Sequence, residues 1–176
     1  MKTVTVIGAN GTMGSNISGI FASFGNAKVY MVSRDIEKSR KAVEKAAQSV
    51  RAGSIKKNLI PADYSMLEKC VSESDLVFES SKEDLNVKLG VTRQIAQYLQ
   101  PQSIACSGTS GLSITTLAEC FPESLRPHYF GVHMFNPPYN LNLCEVTPTK
   151  YSDLKFFSDL KEYLKNVLYR TVVEVK

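Results

Sequence analysis

The 176-residue chain is 43% hydrophobic and 22% charged, an ordinary globular composition, and is long enough for one domain with a substantial core. Its net charge of +4 favours anionic ligands such as a nucleotide, but is too small and too dispersed to argue for nucleic acid. No apolar stretch approaches the ~20 residues of a membrane span, so no membrane segment is expected.

The first predicted strand covers 3–7 and runs into Gly-Ala-Asn-Gly-Thr-Met-Gly, after which a helical pattern covers 12–24. This strand–glycine loop–helix predicts a nucleotide-binding βαβ unit. Gly8 permits the tight turn, Gly11 lets backbone approach a pyrophosphate, and Gly14 allows close helix–strand packing. The amides at the helix start, from Thr12 onward, face the phosphates. Counted from Gly8 the spacing is G-x-x-G-x-x-G, one residue longer than the common fingerprint. Asn10 is the extra residue, adopts a positive φ more easily than most residues, and is expected to let the loop bulge slightly while still cradling phosphate.

The second strand, 28–32, ends in Ser33-Arg34 where this fold usually carries an acid for the adenosine ribose. A hydroxyl followed by a guanidinium suits a 2′-phosphate, so this end leans towards NADP over NAD. Two alternatives stay open here. Ser33 or Asp35 caps the next helix with Arg34 solvated, or Asp35 itself reaches a ribose, as NAD would require.

Further along, helices are predicted at 35–51, 65–72, 84–99, 113–120 and 153–166, and strands at 58–62, 75–79, 103–107, 129–133, 142–147 and 169–175. The repeated βα order implies an α/β fold with a doubly wound, mostly parallel sheet spanning 1–176. The segment Phe135–Asn140 breaks the rhythm with two prolines, so the last strands are expected to turn antiparallel. The cysteines at 70, 106, 120 and 144 form no C-x-x-C pair and have no histidine at metal spacing. They read as reduced, mostly buried thiols with no metal site, and with no leader before the first strand the cytoplasm is expected. Because the chain stops at Lys176, just after the last predicted strand, it reads as a domain cut from something longer or as a stand-alone domain.

His133 and Glu145 lie symmetrically about Tyr139, so antiparallel pairing across the Pro-rich turn places them side by side. Imidazole titrates nearest neutral pH and suits a reversible base, and a carboxylate on its other nitrogen fixes the tautomer. His128 is expected on an outer strand position at the surface.

Three segments, Asp75–Lys88, Ser107–Thr115 and Gly131–Pro137 with Leu143-Cys-Glu-Val, together with the N-terminal loop, resemble the nucleotide-binding domain of the 3-hydroxyacyl-CoA dehydrogenases. The resemblance covers nearly the whole chain, and its most specific part is H-x-F-N-P with a glutamate twelve residues after the histidine. It implies a Rossmann-like domain whose His133 exchanges the 3-hydroxyl proton, with Glu145 as partner and Ser110 bonded to the substrate oxygen. It also implies cofactor contacts at Met13, at Glu83 and Lys88 beside the nicotinamide ribose, and at Asn136. On local chemistry alone, Ser110 could instead cap the helix near Ser113, and Glu83 and Lys88 could be a helix-start acid and a solvated lysine.

Gly111 stands where the family has a second serine, and the helical hairpin that meets coenzyme A is shortened, leaving Lys56-Lys57 to meet its phosphates. The family's all-helical second domain, which completes the cleft and carries much of the dimer interface, is not in these residues. The resemblance therefore implies an acyl-CoA substrate, a helical partner domain in cis or in trans, and a homodimer. Alone, the chain is expected to bind dinucleotide and position substrate poorly. Two other readings remain at this stage: a dehydrogenase of another β-hydroxy acid, and a cofactor-binding module without turnover.

Overall fold

A computed structural model describes residues 1–175. Its strands are β1 (Thr3–Ile7), β2 (Lys28–Ser33), β3 (Leu59–Asp63), β4 (Leu76–Glu79), β5 (Ile104–Ser107), β6 (Tyr129–Met134), β7 (Leu143–Thr147) and β8 (Thr171–Glu174). Its α-helices are α1 (Thr12–Ser23), α2 (Ile36–Ser49), α3 (Leu67–Ser72), α4 (Leu85–Tyr98), α5 (Ile114–Ala118) and α6 (Leu154–Glu162). The strands form one sheet in the order β3-β2-β1-β4-β5-β6-β7-β8. The first six run parallel, β7 is antiparallel to β6, and β8 runs with β7. The expected doubly wound sheet with reversed last strands is therefore present.

Local chemistry explains the boundaries. Asp35, Asp84, Ser113 and Asp153 each cap a helix by accepting from backbone amides two or three residues on. The helix expected to reach residue 51 ends at Ser49, because Arg51 turns the chain with φ 52°. The segment expected as 113–120 holds only five α-helical residues, and 153–166 is α-helical to Glu162 and then widens into a π-type turn over Tyr163–Val167. β8 starts two residues later than expected, after Tyr169 at φ 55°.

Alternating strand residues feed two cores, one on each face. Val4, Val6, Val29, Met31 and Phe78 pack with Ile17, Ile20 and Phe21 of α1 and with Phe157 and Leu160 of α6. Ile7, Val77, Ala105 and Tyr129 pack on the other face with residues of α3, α4 and α5. Since β1 has β2 on one side and β4 on the other, the crossovers leave it in opposite directions. The crevice this opens at the strands' carboxyl ends is where such folds hold ligands. Among the described residues no helix is long and apolar enough to cross a membrane, and no three His, Cys, Asp or Glu side chains gather to hold a metal.

Candidate functional site

The first half of the site is made from backbone. Gly8 turns out of β1 with φ +80°, and a Cβ there would lie 2.4 Å from the Ser80 carbonyl oxygen. The amides of Gly8 and Ala9 both donate to the Val32 carbonyl, at 2.9 and 3.1 Å, which fastens the loop to the end of β2. Gly14 sits so close beneath the turn that a Cβ would lie 2.3 Å from the Gly8 oxygen. α1 follows Gly11 at its N-cap, with no side-chain cap and no acid in its first turn. Its leading amides, from Thr12, Met13 and Gly14, are therefore left for an anion at the positive end of the helix dipole. Thr12 is exposed there, while Met13 is half-buried against the core. A cleft of about 290 Å³ opens beside the turn, lined by Gly8, Asn10, Gly11, Ser33, Arg34 and Tyr64 among others. The uncapped amides and the absence of negative charge fit a dinucleotide's diphosphate. The positive φ belongs to Gly8, and Asn10 has none, so the longer loop closes without using that tolerance.

At the end of β2, Asp35 caps α2 by accepting from the Lys38 amide at 3.0 Å. Ser33 is not a cap. Its side chain is 1% exposed and its hydroxyl has no hydrogen-bond partner. Arg34 is exposed and forms no ion pair among the described residues.

The second half is made from side chains. The β6–β7 register sets His133 opposite Glu145. His133 Nδ1 lies 3.2 Å from Glu145 Oε2, and Ser110 Oγ lies 3.2 Å from His133 Nε2. With the Nδ1 proton donated to Glu145, Nε2 holds a lone pair and accepts from the Ser110 hydroxyl. These three line a cleft of about 480 Å³ that also includes Thr109, Gly111 and Ile114. Ser113, not Ser110, caps α5, which leaves the Ser110 hydroxyl to the histidine. Asn136 is exposed on the following turn and lines neither cleft. Arg170, which sequence reasoning passed over, pins that turn by donating to the carbonyl of Pro138 at 2.6 Å and of Leu168 at 2.8 Å.

A buried network joins the halves, and its centre, Glu79, was also missed. Glu79 closes β4 and is 0% exposed. It accepts from Lys88 Nζ at 3.0 and 3.2 Å, from Ser107 Oγ at 2.6 Å and from the Ser81 amide at 2.6 Å. Ser107 Oγ in turn accepts from the Thr109 amide at 3.2 Å. Glu83 accepts from the Thr109 hydroxyl, from the Ser110 amide at 2.9 Å and from the Gly111 amide at 3.3 Å, with Lys88 Nζ 3.5 Å away. Burial works to raise the Glu83 carboxyl, but these donors and the ammonium win and hold it below the usual carboxylate value. The structure thus brings Glu83 and Lys88 against the loop that carries Ser110. Lys88 is 1% exposed, which rules out a solvated lysine, and Asp84 rather than Glu83 caps α4. The signal for Glu79 was a carboxylate ending the apolar run Leu-Val-Phe, with a lysine nine residues on.

His128 also departs from expectation. Pro127 places it in a 3₁₀ turn, Arg126–His128, where it is 8% exposed with its ring 3.9 Å from that of Phe156.

Residues 3–176 match the family described as 3-hydroxyacyl-CoA dehydrogenase, NAD binding domain. The human mitochondrial hydroxyacyl-coenzyme A dehydrogenase is 30% identical over 180 residues, 94% of this chain and 56% of the human one. The solved (S)-3-hydroxybutyryl-CoA dehydrogenase of Ralstonia eutropha superposes with a TM-score of 0.87 at 26% identity, over 100% of this chain and 64% of that one. The 3-hydroxybutyryl-CoA dehydrogenase of Escherichia coli K12 gives 0.86 at 27% identity, over 98% and 38%. The chain spans about half the length of the curated human relative. An amide-lined turn that fits a dinucleotide's diphosphate and a family match over residues 3–176 leave one assignment: the chain belongs to the 3-hydroxyacyl-CoA dehydrogenase family, as its NAD-binding domain.

Proposed function

We propose that this domain, completed by a helical segment like that expected from the resemblance, interconverts a 3-hydroxyacyl-CoA and the 3-oxoacyl-CoA. The observation that carries this reading is the Ser110–His133–Glu145 chain of hydrogen bonds in a cleft beside the cofactor cradle. NAD, when bound, supplies the acceptor or donor of the hydride. Oxidising the alcohol then requires that the hydroxyl proton leave as the carbon loses its hydride, and the lone pair on His133 Nε2 receives that proton. Glu145 offsets the imidazolium charge that results and keeps the ring in the tautomer that exposes Nε2. Ser110, hydrogen-bonded to the same nitrogen, holds the reacting oxygen, and in reduction His133 returns the proton. Thr12, Met13 and Gly14 amides hold the diphosphate, and Glu83 and Lys88 hold the loop that carries Ser110. The 26–30% identity to dehydrogenases of hydroxyacyl-CoA supports acyl-CoA as the substrate class. The dimer of the assembled protein belongs with the segment beyond this chain, and the four free cysteines suit a reducing compartment such as the cytoplasm.

The test uses the protein together with that following segment, and 3-hydroxybutyryl-CoA as substrate. His133→Ala is expected to lower kcat by about 10²–10⁴-fold, the usual contribution of a positioned acid–base group, with NADH binding by fluorescence nearly unchanged. Wild-type protein that binds NADH yet oxidises no 3-hydroxyacyl-CoA would leave a cofactor-binding module without turnover.

A further inference from the structure

The end of β2 is not explained by the function above. In folds of this kind the residue closing the second strand faces the adenosine ribose. An acid there takes the 2′-hydroxyl and repels a phosphate, whereas a nearby arginine accommodates one. The residue here is Ser33, whose hydroxyl is buried against the nucleotide cleft with no partner, a rare condition that costs stability unless something else satisfies it. Arg34 follows it on the same cleft wall, exposed and without an ionic partner among the described residues. Asp35 and Asp63, neighbours of Ser33 along the chain and across the sheet, are engaged locally and line no part of the cleft. Asp35 accepts from the Lys38 amide at 3.0 Å. Asp63, paired with Ser33 across β2–β3, accepts from the Ser65 amide at 2.9 Å and from its hydroxyl at 2.6 Å. Each of these carboxylates is tied to its own turn through one oxygen, while a hydroxyl and a guanidinium with no ionic partner among the described residues stand where a phosphate would be met.

We infer that Ser33 and Arg34 form a 2′-phosphate subsite, so that this domain binds NADPH at least as tightly as NADH. The guanidinium supplies charge and paired N–H donors, and the hydroxyl supplies one short hydrogen bond. The inference rests on the dinucleotide-binding reading, and it deepens that reading by naming which dinucleotide the site accepts.

The experiment titrates the chain with NADH and with NADPH, followed by the fluorescence of the reduced nicotinamide, in wild type, Arg34→Ala and Ser33→Asp. Wild type is expected to bind NADPH as tightly as NADH or tighter. Arg34→Ala should weaken NADPH about tenfold, the loss of one good charge-assisted contact, and leave NADH within about twofold. Ser33→Asp should reverse the preference to NADH. Because Arg34 is exposed, its alanine variant tests the contact without disturbing the core. A wild type that binds NADH more tightly than NADPH, or an Arg34→Ala variant that weakens both dinucleotides equally, overturns the subsite. Failure of the dehydrogenase reading looks different: the NADPH preference stands while no 3-hydroxyacyl-CoA is turned over.

Discussion

The two halves of the site are built from different materials. The cradle, residues 8–34, uses backbone: a glycine at φ +80°, amides tied to Val32, and a helix start with no cap. The proposed catalytic cleft, drawn from residues 79–147, uses side chains that meet because β4, β5, β6 and β7 lie side by side in the sheet. The first kind of site is damaged by adding atoms, the second by removing them. Substitutions that exploit this difference separate the halves.

The largest expected effect lies where the halves join. Glu79 and Lys88 are both buried, and their attraction offsets the cost of taking two charges out of water only while both are present. Lys88→Ala leaves the Glu79 carboxylate buried and unpaired, and should lower unfolding stability by about 3–5 kcal/mol in a denaturant titration. The double variant Glu79→Gln/Lys88→Met, which removes both charges, should recover a large part of that loss. If Lys88→Ala costs less than about 1 kcal/mol, the network is not the joint described above.

A smaller effect, of opposite sign at two glycines, tests the cradle. Replacing a helical glycine by alanine ordinarily gains about 1 kcal/mol. Gly90, in α4, faces open space, and Gly90→Ala should gain that much. In α1, however, a Cβ on Gly14 would overlap the Gly8 oxygen and come within 2.9 Å of the Ala9 Cα, so backbone must move. Such overpacking costs about 1–3 kcal/mol, enough to outweigh the propensity. Gly14→Ala should therefore be destabilised in thermal melts and lose NADH affinity, since the turn that must shift is the one that presents the amides.

The difference in material also decided what could be read from sequence. Glycine spacing and strand–helix periodicity are local signals, and they placed the glycine turn and the eight strands and six α-helices of the described residues to within a few residues, but not the 3₁₀ and π turns between them. The pair His133 and Glu145 was legible because a single turn separates them and pairing across it has one simple register. Glu79 was harder to read, because its partners Ser107 and Lys88 reach it from a neighbouring strand and from a helix, and the local signal, an acid closing an apolar run, does not name them. His128 was misplaced for the same reason, since Phe156, which covers it, comes from α6. The tolerance of Asn10 for positive φ goes unused, because the positive φ of the turn falls at Gly8.

The smallest effect is a pH dependence at Glu83, the residue that fastens the Ser110 loop. Its carboxyl is held below the ordinary value, so the native state favours the ionised form more than the unfolded chain does. The stability this gives is complete above the unfolded value of about 4.3, and fades as pH falls through the lower native one. The carboxylate is 47% exposed, which weakens its pairing with Lys88, so Glu83→Gln should cost only about 1 kcal/mol at neutral pH. The melting temperatures of wild type and Glu83→Gln should differ at pH 7 and converge as the solution is acidified below pH 4.3, the other carboxylates cancelling in the difference. A gap that persists or widens in acid would mean that the loop is held by the neutral acid, and that the amides of Ser110 and Gly111 do not depend on its charge.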